Sequence, residues 1–173
     1  MPNLPFPKDV FSDALAANTQ YASNFTSEHL TGTAAKGLAI ITCMDSRISP
    51  LAIVGMQPGD VKILRNAGAR VTDDVLRTLV LATFLLGVNR VLVMPHTDCR
   101  MASATEPEIH ETILQEHGVD TRSVEFRTVS DPVAALQMDV KRVRTHPLLA
   151  ANNVVVGGAI FDVHTGALNP YDF

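Results

Sequence analysis

The sequence predicts an α/β fold: one domain whose mainly parallel central sheet has four parallel strands plus a C-terminal edge strand, flanked by helices and preceded by an N-terminal helical arm. Two observations lead to this prediction. Short apolar runs alternate along the chain with segments whose apolar residues recur at helical spacing. The short runs are continuously apolar, as in strands covered on both faces, and strands separated by helices are joined by right-handed crossovers in a parallel sheet.

The first half of the chain supplies the arm and three strands. Apolar residues at helical spacing within 9–25 predict a helix in an N-terminal arm comprising residues 1–30. The next helix begins at Ser49-Pro50, an N-cap followed by proline, and another begins after Thr72. Three apolar runs are predicted strands: GLAIITC (37–43), VKILRN (61–66) and RVLVMP (90–95).

The second half continues the alternation. A helix is predicted over Glu106–His117, followed by a strand in SVEFRT (123–128). Ser130 or Asp131, followed by Pro132, opens a helix that runs to about 146. NVVVGGAIFDV (153–163) then ends the chain as a strand or hairpin. With no internal repeat or linker, residues 1–173 are expected to form one domain.

Composition and charge exclude several functional classes. The net charge of −4, without a basic cluster, argues against a nucleic-acid-binding protein. The most apolar stretch, Thr78–Pro95, is interrupted by Gly87, Asn89 and Arg90, so it does not predict a membrane span. The chain starts without the basic and apolar segments of a signal peptide, and two cysteines are too few for a disulfide scaffold. We therefore expect a soluble cytoplasmic protein with a small-molecule substrate.

Two cysteines and a histidine stand at the predicted strand ends. Cys43 ends the first strand, while His96 and Cys99 follow the third. If these strands are neighbours, the loops leaving them diverge and open a crevice in which the three side chains can converge. Two thiolates and an imidazole suit zinc and leave the fourth tetrahedral position free. The alternative is that both cysteines are small core residues and the His-x-x-Cys spacing is coincidental.

The same motifs carry a family resemblance. The chain resembles the β-class carbonic anhydrases in two motifs, Cys43-x-Asp45-x-Arg47 and His96-x-x-Cys99. The segments ITCMDSR, RNAG and HTDC resemble the compact archaeal and bacterial branch of that family. The resemblance covers nearly the whole chain. It implies one Zn²⁺ per chain, reversible hydration of carbon dioxide to bicarbonate, and a homodimer or dimer of dimers (a homotetramer) whose N-terminal helices pack on the partner subunit.

Asp45 and Arg47 are the expected catalytic residues. Zinc lowers the pKa of a bound water to about 7 in the best cases and generates hydroxide that attacks carbon dioxide. Alternate side chains of an extended segment point the same way, so Asp45 can accept the hydrogen bond of that hydroxide while Arg47 restrains the carboxylate. Without the arginine, Asp45 could take the place of the water on zinc, as in gated members of the family. The alternative is an ordinary surface salt bridge.

The loop after the second strand is the expected substrate-binding segment. In the family it borders the substrate pocket, and here it contains Asn66, Ala67 and Gly68, whose amides could face an oxyanion. On its residues alone it is a plain strand-to-helix loop. Arg65 and Arg70 flank it and could attract bicarbonate, but exposure to solvent is the expected role of each.

Two positions depart from the family pattern, and three functions remain open. Arg100 stands where the family usually has glycine, and Pro95 precedes the histidine. Hydration of carbon dioxide is the leading function, and hydrolysis of COS or CS2 on the same zinc scaffold is the alternative. The third is a non-catalytic zinc domain used for assembly, with Arg100 or Asp45 closing the site.

Overall fold

A computed structural model describes residues 4–173, so the first three residues of the predicted arm lie outside the described residues. The chain divides into two units, the first ending at Thr31 and the second beginning at Gly32. The first unit contains the predicted helix, α1 (Ser12–Ser23), in which no residue is buried. Its large apolar side chains are exposed: Leu4, Phe6, Val10, Phe11, Leu15, Tyr21, Phe25 and Leu30.

The second unit is built on a five-stranded sheet. Its strands are β1 (Leu38–Cys43), β2 (Val61–Asn66), β3 (Arg90–Met94), β4 (Val155–Phe161) and β5 (Leu168–Tyr171). Their spatial order is β2-β1-β3-β4-β5. The first four strands are parallel and β5 pairs antiparallel with β4 at the edge, which confirms the predicted fold class.

Five helices connect the strands within Gly32–Phe173. They are α2 (Pro50–Ile53), α3 (Asp73–Leu85), α4 (Glu106–His117), α5 (Pro132–Arg144) and α6 (Pro147–Ala151). Local sequence fixes several of their ends: the Thr72 hydroxyl accepts a hydrogen bond from Val75 N, and the Asp131 carboxylate accepts two from the first turn of α5. Gly118 ends α4 in the left-handed conformation that glycine permits. In the described part of the chain, no helix combines the length and hydropathy needed to cross a bilayer.

Strand β1 lies at the centre of the core, and all six of its residues are buried. On one face of the sheet, Ala39 and Ile41 belong to the cluster formed with α3 and α5. On the other, Leu38 and Ile40 belong to a smaller cluster that includes Cys43. Because β1 pairs with β2 on one side and β3 on the other, the loops leaving β1 and β3 diverge at the carboxyl edge, where ligands of open α/β sheets bind.

The strand predicted at residues 123–128 is wrong. This segment is irregular and pairs with no strand. Its amides are satisfied elsewhere: Phe126 N donates to the Glu106 carboxylate over 2.7 Å, and just beyond it Val129 N donates to the Met101 carbonyl over 2.8 Å. A side-chain carboxylate and a loop carbonyl therefore supply the acceptors that a neighbouring strand would have offered. The fourth parallel strand is β4 instead.

Candidate metal centre

The structure brings Cys43, His96 and Cys99 together at the carboxyl edge of β1 and β3. Cys43 is the last residue of β1, and the other two lie in the loop that follows β3. The two sulfur atoms are 3.9 Å apart, and the three ligand atoms all lie within 4.8 Å of one another. Tetrahedral zinc with Zn–S bonds of about 2.3 Å would place two sulfurs about 3.8 Å apart. The cluster therefore has the dimensions of a zinc site.

One ring nitrogen of His96 is fixed and the other is left for a metal. Nδ1 lies 2.8 Å from the carbonyl oxygen of Thr97, an acceptor that places the Nδ1 proton and leaves the lone pair on Nε2. Nε2 is buried and has no hydrogen-bond partner within residues 4–173. A buried polar atom without a partner is costly, and a bound cation removes that cost. The orientation of the imidazole therefore fits the metal.

The electrostatics of the two thiols also fit a cation. A hydrogen bond from the Cys99 thiol, aided by backbone amides, holds the pKa of Cys43 well below its usual range despite burial. The pKa of Cys99 is raised because it keeps the shared proton beside that thiolate and because it is buried. Burial acts to lower the pKa of His96, but the Cys43 thiolate and the Thr97 carbonyl outweigh it and raise the pKa. A dication would displace the shared proton and stabilise both thiolates.

Asp45 and Arg47 form a bidentate ion pair beside the cluster. Arg47 Nε and Nη2 donate to the two carboxylate oxygens of Asp45 over 2.9 and 2.8 Å, and the amide of Arg47 donates to one of them over 2.9 Å. Asp45 Oδ2 lies 3.8 Å from His96 Nε2. Hydrogen bonds from Arg47 hold the pKa of Asp45 far below its usual range. Asp45 is therefore a carboxylate that borders the ligand atoms while held by the arginine.

Sequence reasoning missed the second partner of Arg47. Its Nη1 donates to Asp98 Oδ2 over 2.7 Å, and Nη2 donates to the Asp98 carbonyl over 2.9 Å. Asp98 has a φ of 53°, in the left-handed region that aspartate enters more readily than most residues. The presence of an aspartate between His96 and Cys99 is the sequence feature that could have indicated this second partner. The arginine therefore ties together the two loops that carry the candidate ligands.

Arg65 is exposed, as expected, but its guanidinium also binds the backbone of the ligand segment. Its Nε donates to the Cys43 carbonyl over 2.9 Å, and its Nη2 donates to the Asp45 carbonyl over 2.6 Å. These bonds fix the backbone of the Cys-x-Asp-x-Arg segment from the neighbouring strand β2. The arginine thus positions the main chain from which the candidate ligand and the ion pair project.

The predicted substrate loop is only partly at the site. The Asn66 side chain closes the loop by bonding both backbone groups of Arg70, over 2.7 and 2.8 Å. Gly68 has a φ of 75° and borders a cavity next to the cluster, whereas Asn66 and Ala67 do not border it. A Cβ at Gly68 would also lie 3.3 Å from the side chain of Met101. Of the three predicted residues, the structure places Gly68 alone at the cavity.

That cavity has a volume of about 20 Å³, and His96 and Cys99 form part of its wall. Arg70 and Asp139 line it as well, together with apolar residues that include Leu136 of α5. A cavity of this size has room for at least one water-sized molecule beside the cluster. The cluster is therefore reached by a small, mostly apolar space.

Neither departure from the family pattern blocks this space. Arg100 is exposed, and its guanidinium donates to the Ser103 hydroxyl over 3.1 Å rather than lining the cavity. Pro95 does line the cavity, and its carbonyl accepts a hydrogen bond from Phe161 N over 2.9 Å, which continues the pairing of β3 with β4. The arginine that follows Cys99 therefore does not line the cavity.

Known proteins match this chain along most of its length. The sequence model of the family described as "Carbonic anhydrase" matches residues 38–168. The chain is 35% identical over 161 residues to "Beta-carbonic anhydrase 1" of Mycobacterium tuberculosis, covering 92% of this chain and 96% of that protein. It is 30% identical over 155 residues to a carbon disulfide hydrolase of an Acidianus strain, covering 76% of this chain and 75% of that protein.

The fold comparison agrees. The crystal structure of the carbonic anhydrase from Streptococcus mutans superposes with a TM-score of 0.87 at 33% identity, covering 98% of this chain and 100% of that one. Together with the Cys-His-Cys cluster, these matches show that the chain belongs to the β-carbonic anhydrase family, a family of zinc enzymes that includes carbonate dehydratases.

Proposed function

We propose that Cys43, His96 and Cys99 bind the zinc ion with which this protein converts carbon dioxide reversibly into bicarbonate and a proton. The observation that carries the proposal is the gathering of three soft donors within 4.8 Å beside an open cavity. Three protein ligands and one free position characterise catalytic zinc sites, whereas structural sites have four protein ligands. Zinc bound there supplies a Lewis acid that makes water a nucleophile near neutral pH.

Asp45 orients the nucleophile in this proposal. Its carboxylate borders the ligand atoms, 3.8 Å from His96 Nε2, and its depressed pKa keeps it an acceptor at neutral pH. A carboxylate that accepts the remaining proton of the nucleophile directs a lone pair at the carbon of the substrate. Asp45 could itself serve as a zinc ligand, so Arg47 has a second task, which is to hold the carboxylate back.

Stopped-flow hydration of carbon dioxide, with zinc content measured on the same preparation, tests the function. We expect turnover that scales with bound zinc, and Arg100→Ala, an exposed neighbour of the cluster, should match the wild type. A zinc-loaded protein that leaves the uncatalysed rate unchanged would contradict the proposal.

Hydrolysis of CS2 or COS is the second candidate. The similarity to the Acidianus carbon disulfide hydrolase favours it. We place hydration of carbon dioxide first because the more similar relative is a carbonic anhydrase. Parallel assays with the three substrates on one preparation decide the order, since the rates are compared at equal zinc content.

A non-catalytic role in assembly is the least supported of the three functions. That function required Arg100 or Asp45 to close the site. Arg100 instead contacts Ser103, and Asp45 is held by three donors of Arg47. Arg100 therefore does not line the cavity beside the cluster, and Asp45 is restrained by Arg47.

We propose a homodimer or dimer of dimers in which the N-terminal arm covers apolar surface of a second copy. The support is the arm itself: α1 has no buried residue, while Phe11, Leu15, Tyr21 and Phe25 are exposed. Apolar surface of this extent is typical of interfaces in symmetric oligomers. Light scattering should show a smaller species after deletion of residues 1–26 or for Leu15→Asp, and no change for the matched helix variant Asn18→Asp.

We further propose that residues 1–173 act as one domain with residues 1–30 as its arm, in the cytoplasm. Cys43 and Cys99 are free cysteines, and a reducing compartment preserves thiols for metal binding. Cell fractionation with antibodies against the chain tests the location. Recovery with exported proteins would contradict it.

A further inference from the structure

A buried ion pair forms part of the cavity wall beside the candidate zinc ligands. Arg70 Nε donates to Asp139 Oδ2 over 2.7 Å, and the amide of Val71 donates to the other carboxylate oxygen over 3.2 Å. The Asp139 side chain is 7% exposed and that of Arg70 is 16% exposed. Replacing a buried ion pair with well-packed apolar residues is often neutral or stabilising, so a buried pair is weak evidence for a purely stabilising role.

The ion pair uses only part of the guanidinium. Arginine has five N–H donors, and the bond to Asp139 occupies the one on Nε. Within residues 4–173, Nη1 and Nη2 of Arg70 make no hydrogen bond, and because neither is a fully buried atom without a partner, both reach solvent. Four donors of a mostly buried cation are therefore available beside the cavity that His96 and Cys99 also line.

We infer that the terminal nitrogens of Arg70 bind a small planar oxyanion in this cavity. A guanidinium offers two parallel N–H groups that match two oxygens of such an anion, and Arg70 lines the same cavity as His96 and Cys99. If the proposed function holds, the anion is bicarbonate, and Arg70 binds it in the cavity beside the candidate zinc ligands. Asp139 offsets part of the positive charge, which keeps the binding weak enough for release.

Nitrate tests the site because it is planar, anionic and not a substrate. We would titrate nitrate calorimetrically into the zinc-loaded protein and into variants shown to have equal zinc content. Arg70→Met should bind it about tenfold or more weakly, since charge-assisted hydrogen bonds are lost. Asp139→Asn keeps the shape of the pair but removes the offsetting charge, so affinity should rise roughly two- to tenfold. Arg77→Met, which breaks an exposed ion pair with Asp74, is the matched control and should change nothing.

The two variants should change nitrate affinity in opposite directions, and this distinguishes anion binding from a purely structural role of the pair. If the pair only joins α5 to the loop, both variants lose stability and neither strengthens nitrate binding, a result that would overturn the inference. Should Arg70→Met fail to fold, Arg70→Lys keeps the charge but lacks the planar fork, so it should lose preference for nitrate over sulfate; an unchanged preference counts against the site.

A kinetic readout connects the site to the reaction. Arg70→Met should raise the KM for bicarbonate in the dehydration direction and weaken product inhibition, with the KM for carbon dioxide unchanged. Equal changes in both KM values would contradict binding of the anion. Nitrate binding that depends on Arg70 in a protein without hydration activity would refute the proposed function and leave this site standing.

Discussion

Two arginine–aspartate pairs flank the candidate zinc ligands, and they differ in almost every physical respect. Arg47 and Asp45 are two residues apart in one loop, with side chains 45% and 18% exposed. Arg70 and Asp139 are 69 residues apart, with side chains 16% and 7% exposed. The first pair can open because water replaces its hydrogen bonds, whereas the second cannot separate without burying an unpaired charge. An exposed pair suits a restraint that is released, and a buried one suits a fixed binding surface.

Removing a metal ligand should cause the largest loss of activity, because both ion pairs contribute to the reaction only when zinc is bound. Cys99→Ser replaces a thiolate with a much poorer zinc ligand, so zinc should fall from about one per chain to a small fraction of that. Hydration of carbon dioxide should fall with it to near the uncatalysed rate. Elemental analysis and stopped-flow assays on the same samples check this. Cys99→Ser protein with full zinc content would refute the ligand assignment.

The stability of the fold should distinguish the two pairs next. Asp139→Ala leaves the buried guanidinium of Arg70 without its partner, which we expect to cost about 3–5 kcal/mol of unfolding free energy. Asp45→Ala should change the unfolding free energy little, because the Arg47 side chain stays solvated. Urea denaturation of both variants measures the difference. Equal losses would show that exposure does not separate the pairs.

Substitutions in the exposed Arg47–Asp45 pair should reduce hydration activity strongly, although they should change the stability of the fold little. Arg47→Ala releases Asp45 from its bidentate restraint, so the zinc content should persist while kcat for hydration falls about 10²–10³-fold, the range measured when one preorganised donor is lost elsewhere. Asp45→Asn should keep zinc as well and lose a similar factor because the nucleophile is poorly oriented. Arg47→Lys, which keeps the charge but not the fork, should recover part of the loss. Near wild-type turnover of Arg47→Ala would reduce the pair to a surface salt bridge.

Whether an ion pair can be predicted from the sequence depends on how far apart its two residues are along the chain. A local pattern contains the first pair, because Cys43, Asp45 and Arg47 alternate directly after an apolar strand. The ligand cluster and the neighbouring ion pair could therefore be expected from the amino-acid sequence alone. No local pattern links Arg70 to Asp139, which is the one charged residue among the buried positions of helix α5. Their pairing depends on how α5 packs on the sheet, and that is not encoded within either segment.

The prediction for residues 123–128 failed for a related reason. Alternating apolar and polar residues form a strand only when a neighbouring strand offers hydrogen-bond acceptors. In this sheet β4 occupies the position beside β3, so residues 123–128 have no strand to pair with. The Glu106 carboxylate accepts the amide of Phe126 instead, a contact between positions 20 residues apart that a short-range pattern does not contain. The strands β1 and β3 were predictable because their continuous apolar runs need burial on both faces.

The smallest effect is expected at Asp98, the second anchor of Arg47. Asp98→Gly removes the carboxylate that accepts from Arg47 Nη1, and glycine adopts the left-handed conformation at that position without strain. The Asp98 carbonyl still accepts from Nη2, and Asp45 keeps both of its bonds to the guanidinium, so hydration should fall only several-fold, far less than for Arg47→Ala. Asp98→Asn retains an acceptor and should lose less than Asp98→Gly.

The pH profile of Asp98→Gly separates a positioning role from a change in ionisation. Arg47 depresses the pKa of Asp45, so that carboxyl is ionised throughout the neutral range and would protonate only when the pH falls well below 4. Even complete loss of the restraint would return its pKa to about 4, still below any assay near neutrality. The midpoint of activity between pH 6 and 9 should therefore match the wild type while kcat falls. A shifted midpoint would show that Asp98 acts on a group that titrates in the assay range, and the role of an anchor would have to be abandoned.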